Sequence, residues 1–273
     1  MDLTIENVHV TNWSKNPFLK LGTTNKGKLT AAIRYSRQMV GDACELLAQY
    51  EHARLVADVD PTMAVDYFGG HDAVRQALHK YFGILLPVPG QALPVGPHQQ
   101  HVSTNVVTNQ AQVGTILAKY KQIRDGIAGK FDIVVGRIFD GDDVKDGLGD
   151  AWSHIKKGKF AKAIKNIKFI NEGTEGWVNP GGNQQRIHLN LDSIETVSEG
   201  KIARIIVHEA SHKFANTDDV DLLSDGSSDG SGYKWDGLKF NARGYVGLDN
   251  NADSYAWAAR LMWKRKRGLQ SGI

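Results

Sequence analysis

The sequence predicts an α+β fold, and three observations carry that expectation. Apolar residues recur at helical spacing over 27–56 and again over about 71–82. A run rich in β-branched residues, 131–139, and an alternating run, 186–191, are the right length for strands of a small sheet. A further helix is apolar through Ile202, Ile205, Ile206 and Val207, and it carries His208-Glu209-Ala210-Ser211-His212.

Taken in order, residues 1–25 alternate Leu3, Ile5, Val8 and Val10, then break at Asn16-Pro17. They are expected to form an N-terminal extension packed on a single domain of residues 26–273. In the first helix Ile33, Met39, Val40, Ala43, Leu46, Leu47 and Tyr50 share one side. Gly69-Gly70 marks a turn before the second helix, whose apolar positions are Val74, Leu78 and Tyr81. Pro87, Pro89, Pro94 and Pro97 make 83–103 a loop, in which His98 and His101 read as solvated. A helix is expected near 110–125, then the strand from Phe131 to Phe139. Asp140-Gly141-Asp142-Asp143 lacks the later Glu of a calcium loop and reads as an acidic turn. A lysine-rich helix is expected over about 151–168, and a turn at Asn179-Pro180-Gly181-Gly182. Arg186 to Leu191 alternates as a strand, with Ile187, Leu189 and Leu191 on one face and His188 and Asn190 on the other. The Ser/Gly/Asp-rich stretch 222–248 reads as a flexible loop, and a helix of about 251–266 closes the chain.

The spacing within 208–212 has a physical reason. Positions i and i+4 of a helix lie one above the other, so both imidazoles can reach one ion. Glu209 sits one step round, suited to act on a water that the metal polarises. A catalytic zinc needs three protein ligands and an open position. No His follows His212 and no Glu follows Glu209. The third ligand is therefore an Asp, with Asp218, Asp219 and Asp221 near enough, or a His or Glu from upstream.

At these residues the chain resembles the deuterolysin-like metallopeptidases, or aspzincins, which include the peptidyl-lysine metalloendopeptidases. That family pairs His-Glu-x-x-His with Gly-Thr-x-Asp, matched here by Asn216-Thr217-Asp218-Asp219, and with a later Asn-Ala-Asp-Ser, matched by Asn251-Ala252-Asp253-Ser254. The resemblance covers roughly 25–265, including the turn Tyr67-Phe68-Gly69, with insertions at about 84–125 and 222–245. It implies a zincin-like fold with an edge strand just before the zinc helix, here 186–191, which binds peptide by strand addition. It assigns one Zn²⁺ per chain to His208, His212 and Asp219, makes Glu209 the general base, and makes a protein or peptide the substrate. Asp253 is implied as a substrate-pocket or metal-supporting carboxylate.

Two departures stand out. The family Tyr three residues after the ligand Asp is Leu222 here, which leaves Tyr233 or Tyr245 as candidates for stabilising the oxyanion. The acidic residue that lysine-specific members place three after Asp253 is Ala256. The rival readings are a catalytically degenerate zincin-fold binding module and a scaffold holding a structural zinc.

Hydrophobic content of 41% and charged content of 23% suit a globular domain, and 273 residues can bury a sizeable core. A net charge of +3 and a basic run, Lys264-Arg265-Lys266-Arg267, that reads as a solvated tail give no footprint for nucleic acid or membrane. Cys44 is the sole cysteine, so no intrachain disulfide forms, and it is expected as a small buried hydrophobe. Met1 to Glu6 shows no secretory signal, so synthesis in a reducing cytoplasm is expected. The sequence is compatible with an effector or toxin exported without a cleaved signal, in which case a secretion-system or immunity partner is expected.

Overall fold

The computed structural model describes residues 2–12, 21–59, 71–84, 106–136, 176–178, 186–219 and 248–269. Expectations for His98 and His101, the acidic turn at 140–143, the lysine-rich helix, the 179–182 turn, and Asp221, Leu222, Tyr233 and Tyr245 lie outside these residues. The described elements are β1 (Asp2–Ile5), β2 (Val8–Asn12), α1 (Thr23–Val59), α2 (Asp72–Phe82), α3 (Val106–Ala128), β3 (Phe131–Gly136), β4 (Gly176–Val178), β5 (Ile187–Asn190), α4 (Leu191–Thr196), α5 (Glu199–Ala215) and α6 (Ala252–Lys266), with a 3₁₀ turn at Leu248–Asn250. The fold is α+β. Among the described residues, no helix is long and apolar enough to cross a membrane.

The sheet runs in the order β1-β2-β3-β5-β4. β1 and β2 are antiparallel, joined through Glu6 and Asn7, which both take positive φ as a tight hairpin requires. β2 pairs parallel to β3, and β3 parallel to β5, while β4 closes one edge antiparallel to β5. Val8, Val10, Ile133, Val135, Ile187 and Leu189 bury one face of the sheet in the core shared with the helices.

Three differences from the sequence expectation bear on the site. In place of an extension laid on the domain, residues 2–12 supply two of the five described strands, and Val10 sits opposite Ile133. Alternation revealed their strand character but not a partner about 120 residues away. Among the described strands the edge beside α5 is β4, whereas β5 lies inside the sheet between β3 and β4. The stretch 84–125, expected as an insertion, holds most of α3, which is a core helix. Val113, Ile116, Tyr120 and Ile123 are buried in the shared core, and Gly126 lets the ring of Phe214 on α5 approach. A Cβ on Gly126 would overlap the Phe214 ring, so only glycine allows this crossing.

Polar contacts tie the layers together. Arg37 on α1 donates to Glu6 O of the hairpin (2.8 Å) and to Ile127 O at the end of α3 (2.8 Å). The C-terminal basic run is not simply solvated. Lys266 reaches Asp42 (3.1 Å) and Glu45 (2.6 Å) on α1, and Arg267 reaches Asp42 (3.0 Å). Tyr120 on α3 donates its buried hydroxyl to Tyr255 O (2.7 Å), and Lys119 donates to Asn250 Oδ1 (2.6 Å). Thus α3 holds the start of α6, the element that carries Asp253.

Candidate metal centre

Helix α5 begins at Ser198, whose extended backbone and hydroxyl cap the helix by accepting from Lys201 N, with Glu199 favourably placed in the first turn. It ends at Asn216, which takes the left-handed conformation at φ 50°. Asparagine is one of the few side chains that tolerate this, and the reversal sends 217–219 back alongside the helix. Thr217 then meets α5 twice: its carbonyl accepts from His212 Nδ1 (2.8 Å), and its hydroxyl lies 2.8 Å from Ser211 Oγ. Ser211 Oγ donates to His208 O (2.7 Å), so the Thr217 hydroxyl is left to donate to Ser211.

The next residue is fixed to α6. Asp218 N donates to Asn250 O (2.8 Å) and Ala252 N donates to Asp218 O (2.9 Å), a two-bond clamp between the turn that carries Asp219 and the start of the Asn-Ala-Asp-Ser run. The exposed Asp218 carboxylate accepts from Asp219 N (2.9 Å), so it holds the turn. The Asp219 carboxylate swings inward.

Three donor atoms converge. His208 Nε2 and His212 Nε2 are 3.1 Å apart, and Asp219 Oδ1 is 3.3 Å from the first and 3.4 Å from the second. Both Nδ1 atoms are already committed as donors, one to the Asp253 carboxylate (3.0 Å) and one to the Thr217 carbonyl. Those partners can only accept, so in each neutral imidazole Nε2 bears a lone pair. With both imidazoles neutral, two lone pairs and a carboxylate oxygen face one another, which is repulsive unless a proton or a metal cation sits among them. Zinc bonds of about 2.0–2.1 Å in a tetrahedron separate neighbouring donors by roughly 3.3–3.4 Å, so the triangle fits such an ion. Among the described residues, this is the one group of three His, Cys, Asp or Glu side chains able to hold a metal.

No protein-family model and no curated protein matches the chain.

With protein charges alone the site draws protons. Burial opposes charge on His208, but Asp219 and Asp253 outweigh it and raise the imidazole well above its ordinary value. His212 is raised too, by Asp219, against burial and the neighbouring His208. Burial works against ionised Asp219, yet the two histidines hold it far below the usual carboxylate range. Burial pushes Glu209 up to about 7, against the pull of His208 and His212. Its Oε1 lies 4.0 Å from His208 Nε2, beside the converging donors and outside their triangle.

Asp253 is 2% exposed and sits behind His208, where Oδ1 accepts from His208 Nδ1 and from Arg204 Nη1 (3.1 Å). Ala256, one turn on, is wholly buried in the core. His188 is also buried, which pushes its imidazole down to about 4, and alternation turns it to the sheet face away from α5.

Sequence reading missed Arg204 and Gly176, and it quoted Thr217 only as part of the Asn216-Thr217-Asp218-Asp219 match without giving it a role. Arg204 had a signal: it is a charge inside an apolar run, four residues before His208 and so on the same face. It also stacks on Trp257, with the guanidinium carbon 4.7 Å from the ring centroid. Gly176 had none. It abuts Glu209 across the sheet–helix interface, with its absent Cβ position 3.1 Å from Glu209 Oε1.

Proposed function

We propose that this chain is a zinc-dependent metalloendopeptidase of the aspzincin type. The observation that carries the reading is the convergence of His208 Nε2, His212 Nε2 and Asp219 Oδ1 at tetrahedral spacing beside a buried glutamate. Two nitrogens and one oxygen favour zinc over magnesium or calcium, which take oxygen shells. The metal, when bound, supplies Lewis acidity that acidifies a water and polarises a carbonyl.

The chain's own groups do the remainder. Glu209 accepts the proton of the attacking water on its carboxylate and delivers it to the departing amine nitrogen. Asp253 and the Thr217 carbonyl fix both imidazoles with Nε2 turned to the ion. An extended peptide adds to β4, the sheet edge nearest Glu209. Tyr233 or Tyr245 is the proposed donor to the oxyanion, in place of a residue at Leu222. A catalytically degenerate binding module is favoured by Leu222 alone.

The test is zinc content by mass spectrometry, on protein purified without chelator, together with cleavage of a mixed-peptide library. Wild type should hold one zinc per chain and cut. Glu209→Gln should keep its zinc and lose at least about a hundredfold in turnover, within the range general-base catalysis supplies. Zinc without cleavage in the wild type would turn the assignment to the degenerate module. No zinc would end the metal reading.

A further inference from the structure

Residues i and i+4 of α5, Ile205 and Glu209, project toward β4. Strand β4 pairs with β5 in the register Gly176 to Leu189, so Gly176 and Val178 share the face turned to α5. Val178 packs against the core there, and Gly176 presents no side chain at all. A Cβ at 176 would lie 2.8 Å from Ile205 Cγ2, 3.1 Å from Glu209 Oε1 and 3.1 Å from His188 O. These three walls differ in stiffness. His188 O belongs to the sheet ladder, and Ile205 is β-branched and confined to essentially one helical rotamer. The Glu209 carboxylate, at the end of three rotatable bonds, is the part that can yield.

We propose that Gly176 is a positioning residue for Glu209: its lack of a side chain lets the peptide-docking edge and the base lie in direct contact at a fixed separation. The inference rests on the metalloendopeptidase reading and deepens it. A methyl group at 176 displaces the carboxylate or lifts β4 away from α5. Either change separates the base from a peptide held on the strand, and a shift of about 1 Å between reacting groups costs on the order of a hundredfold in rate.

The experiment uses the full chain with bound zinc and a peptide that the wild type cleaves. Gly176→Ala is compared with wild type, and Gly176→Ala/Ile205→Ala with Ile205→Ala. The second background removes the 2.8 Å obstruction and leaves the 3.1 Å contacts with Glu209 Oε1 and His188 O, so the added methyl disturbs the packing less and still reports on Glu209 even where the single variant folds poorly. In both backgrounds the Gly176→Ala step should leave one zinc per chain, change KM by less than about threefold and lower kcat at least about tenfold. A purely structural role would instead lower the melting temperature and leave kcat per folded, zinc-loaded molecule unchanged. That result in the Ile205→Ala background would overturn the inference while the peptidase assignment stands. A wild type that cleaves nothing would bring down the proposed function first and this inference with it.

Discussion

Replacing Asp253 by Asn probes the support behind His208. Asp253 Oδ1 accepts from His208 Nδ1 at 3.0 Å and from Arg204 Nη1 at 3.1 Å, and both acidic and basic partners are at least nine-tenths buried. A hydrogen bond to a charged group contributes about 1.5–3 kcal/mol and a neutral one about 0.5–1.5. Asn therefore keeps the imidazole oriented but weakens the bond by about 1–1.5 kcal/mol, close to a tenfold change in an equilibrium constant. Removing a carboxylate that supports a ligating histidine lowers metal affinity about 10–100-fold. The expected zinc Kd is therefore about tenfold higher for Asp253→Asn and nearer a hundredfold for Asp253→Ala. The assay is competition with a chromogenic chelator at neutral pH and fixed ionic strength, with circular dichroism to establish folding. Zinc affinity within about twofold of wild type in both folded variants would refute the reasoning. If those variants instead lost only a preference for lysine at the cleavage site, Asp253 would belong to the substrate pocket.

Further outcomes follow from the same geometry. Asp219→Ala should lower zinc affinity at least about tenfold, whereas Asp218→Ala, which removes only an exposed cap on Asp219 N, should change it by less than about threefold. The reverse ranking in a metal titration would reassign the ligand. The thiol of Cys44 is buried and pushed up to about 11, so the native protein should resist a maleimide at pH values where the denatured chain reacts. The sign for stability follows: the unfolded thiol ionises near 9.0 while the folded one stays protonated, so Cys44 makes stability fall as pH rises from about 9 to 11. Denaturant melts of wild type and Cys44→Ala across that range should converge as pH rises, and parallel curves would show the thiol to be accessible.

Local periodicity made the helices legible. The run from Ile33 to Tyr50 announced α1, which extends from Thr23 to Val59. His208 and His212 were equally plain, because i and i+4 on one helix need no distant partner. Asp219 needed the likeness to a known motif, since the residues alone left Asp218 and Asp221 open. What escaped were relations across the fold. Ile187 and Leu189 alternate in the same way whether their strand is internal or at an edge, so β5 was mistaken for the edge. Gly-Trp-Val is too short to announce β4, and Leu191 to Thr196 gave no sign of α4. Arg204 acquires its meaning only once α6 brings Asp253 against it.

The clamp between Asp218 and Asn251 has a consequence for how this site can vary. It joins the two ends of the stretch 220–247 by two backbone hydrogen bonds, at 2.8 and 2.9 Å. Side-chain identity does not enter those bonds, and the entropy of closing a loop over a fixed base grows only slowly with its length. The Asp219 carboxylate and the Asp253 behind His208 are thereby held in register by backbone bonds alone. A change in the length of 220–247 therefore leaves the backbone anchor between Asp218 and the start of α6 in place, and with it the approach of Asp219 and Asp253 to His208.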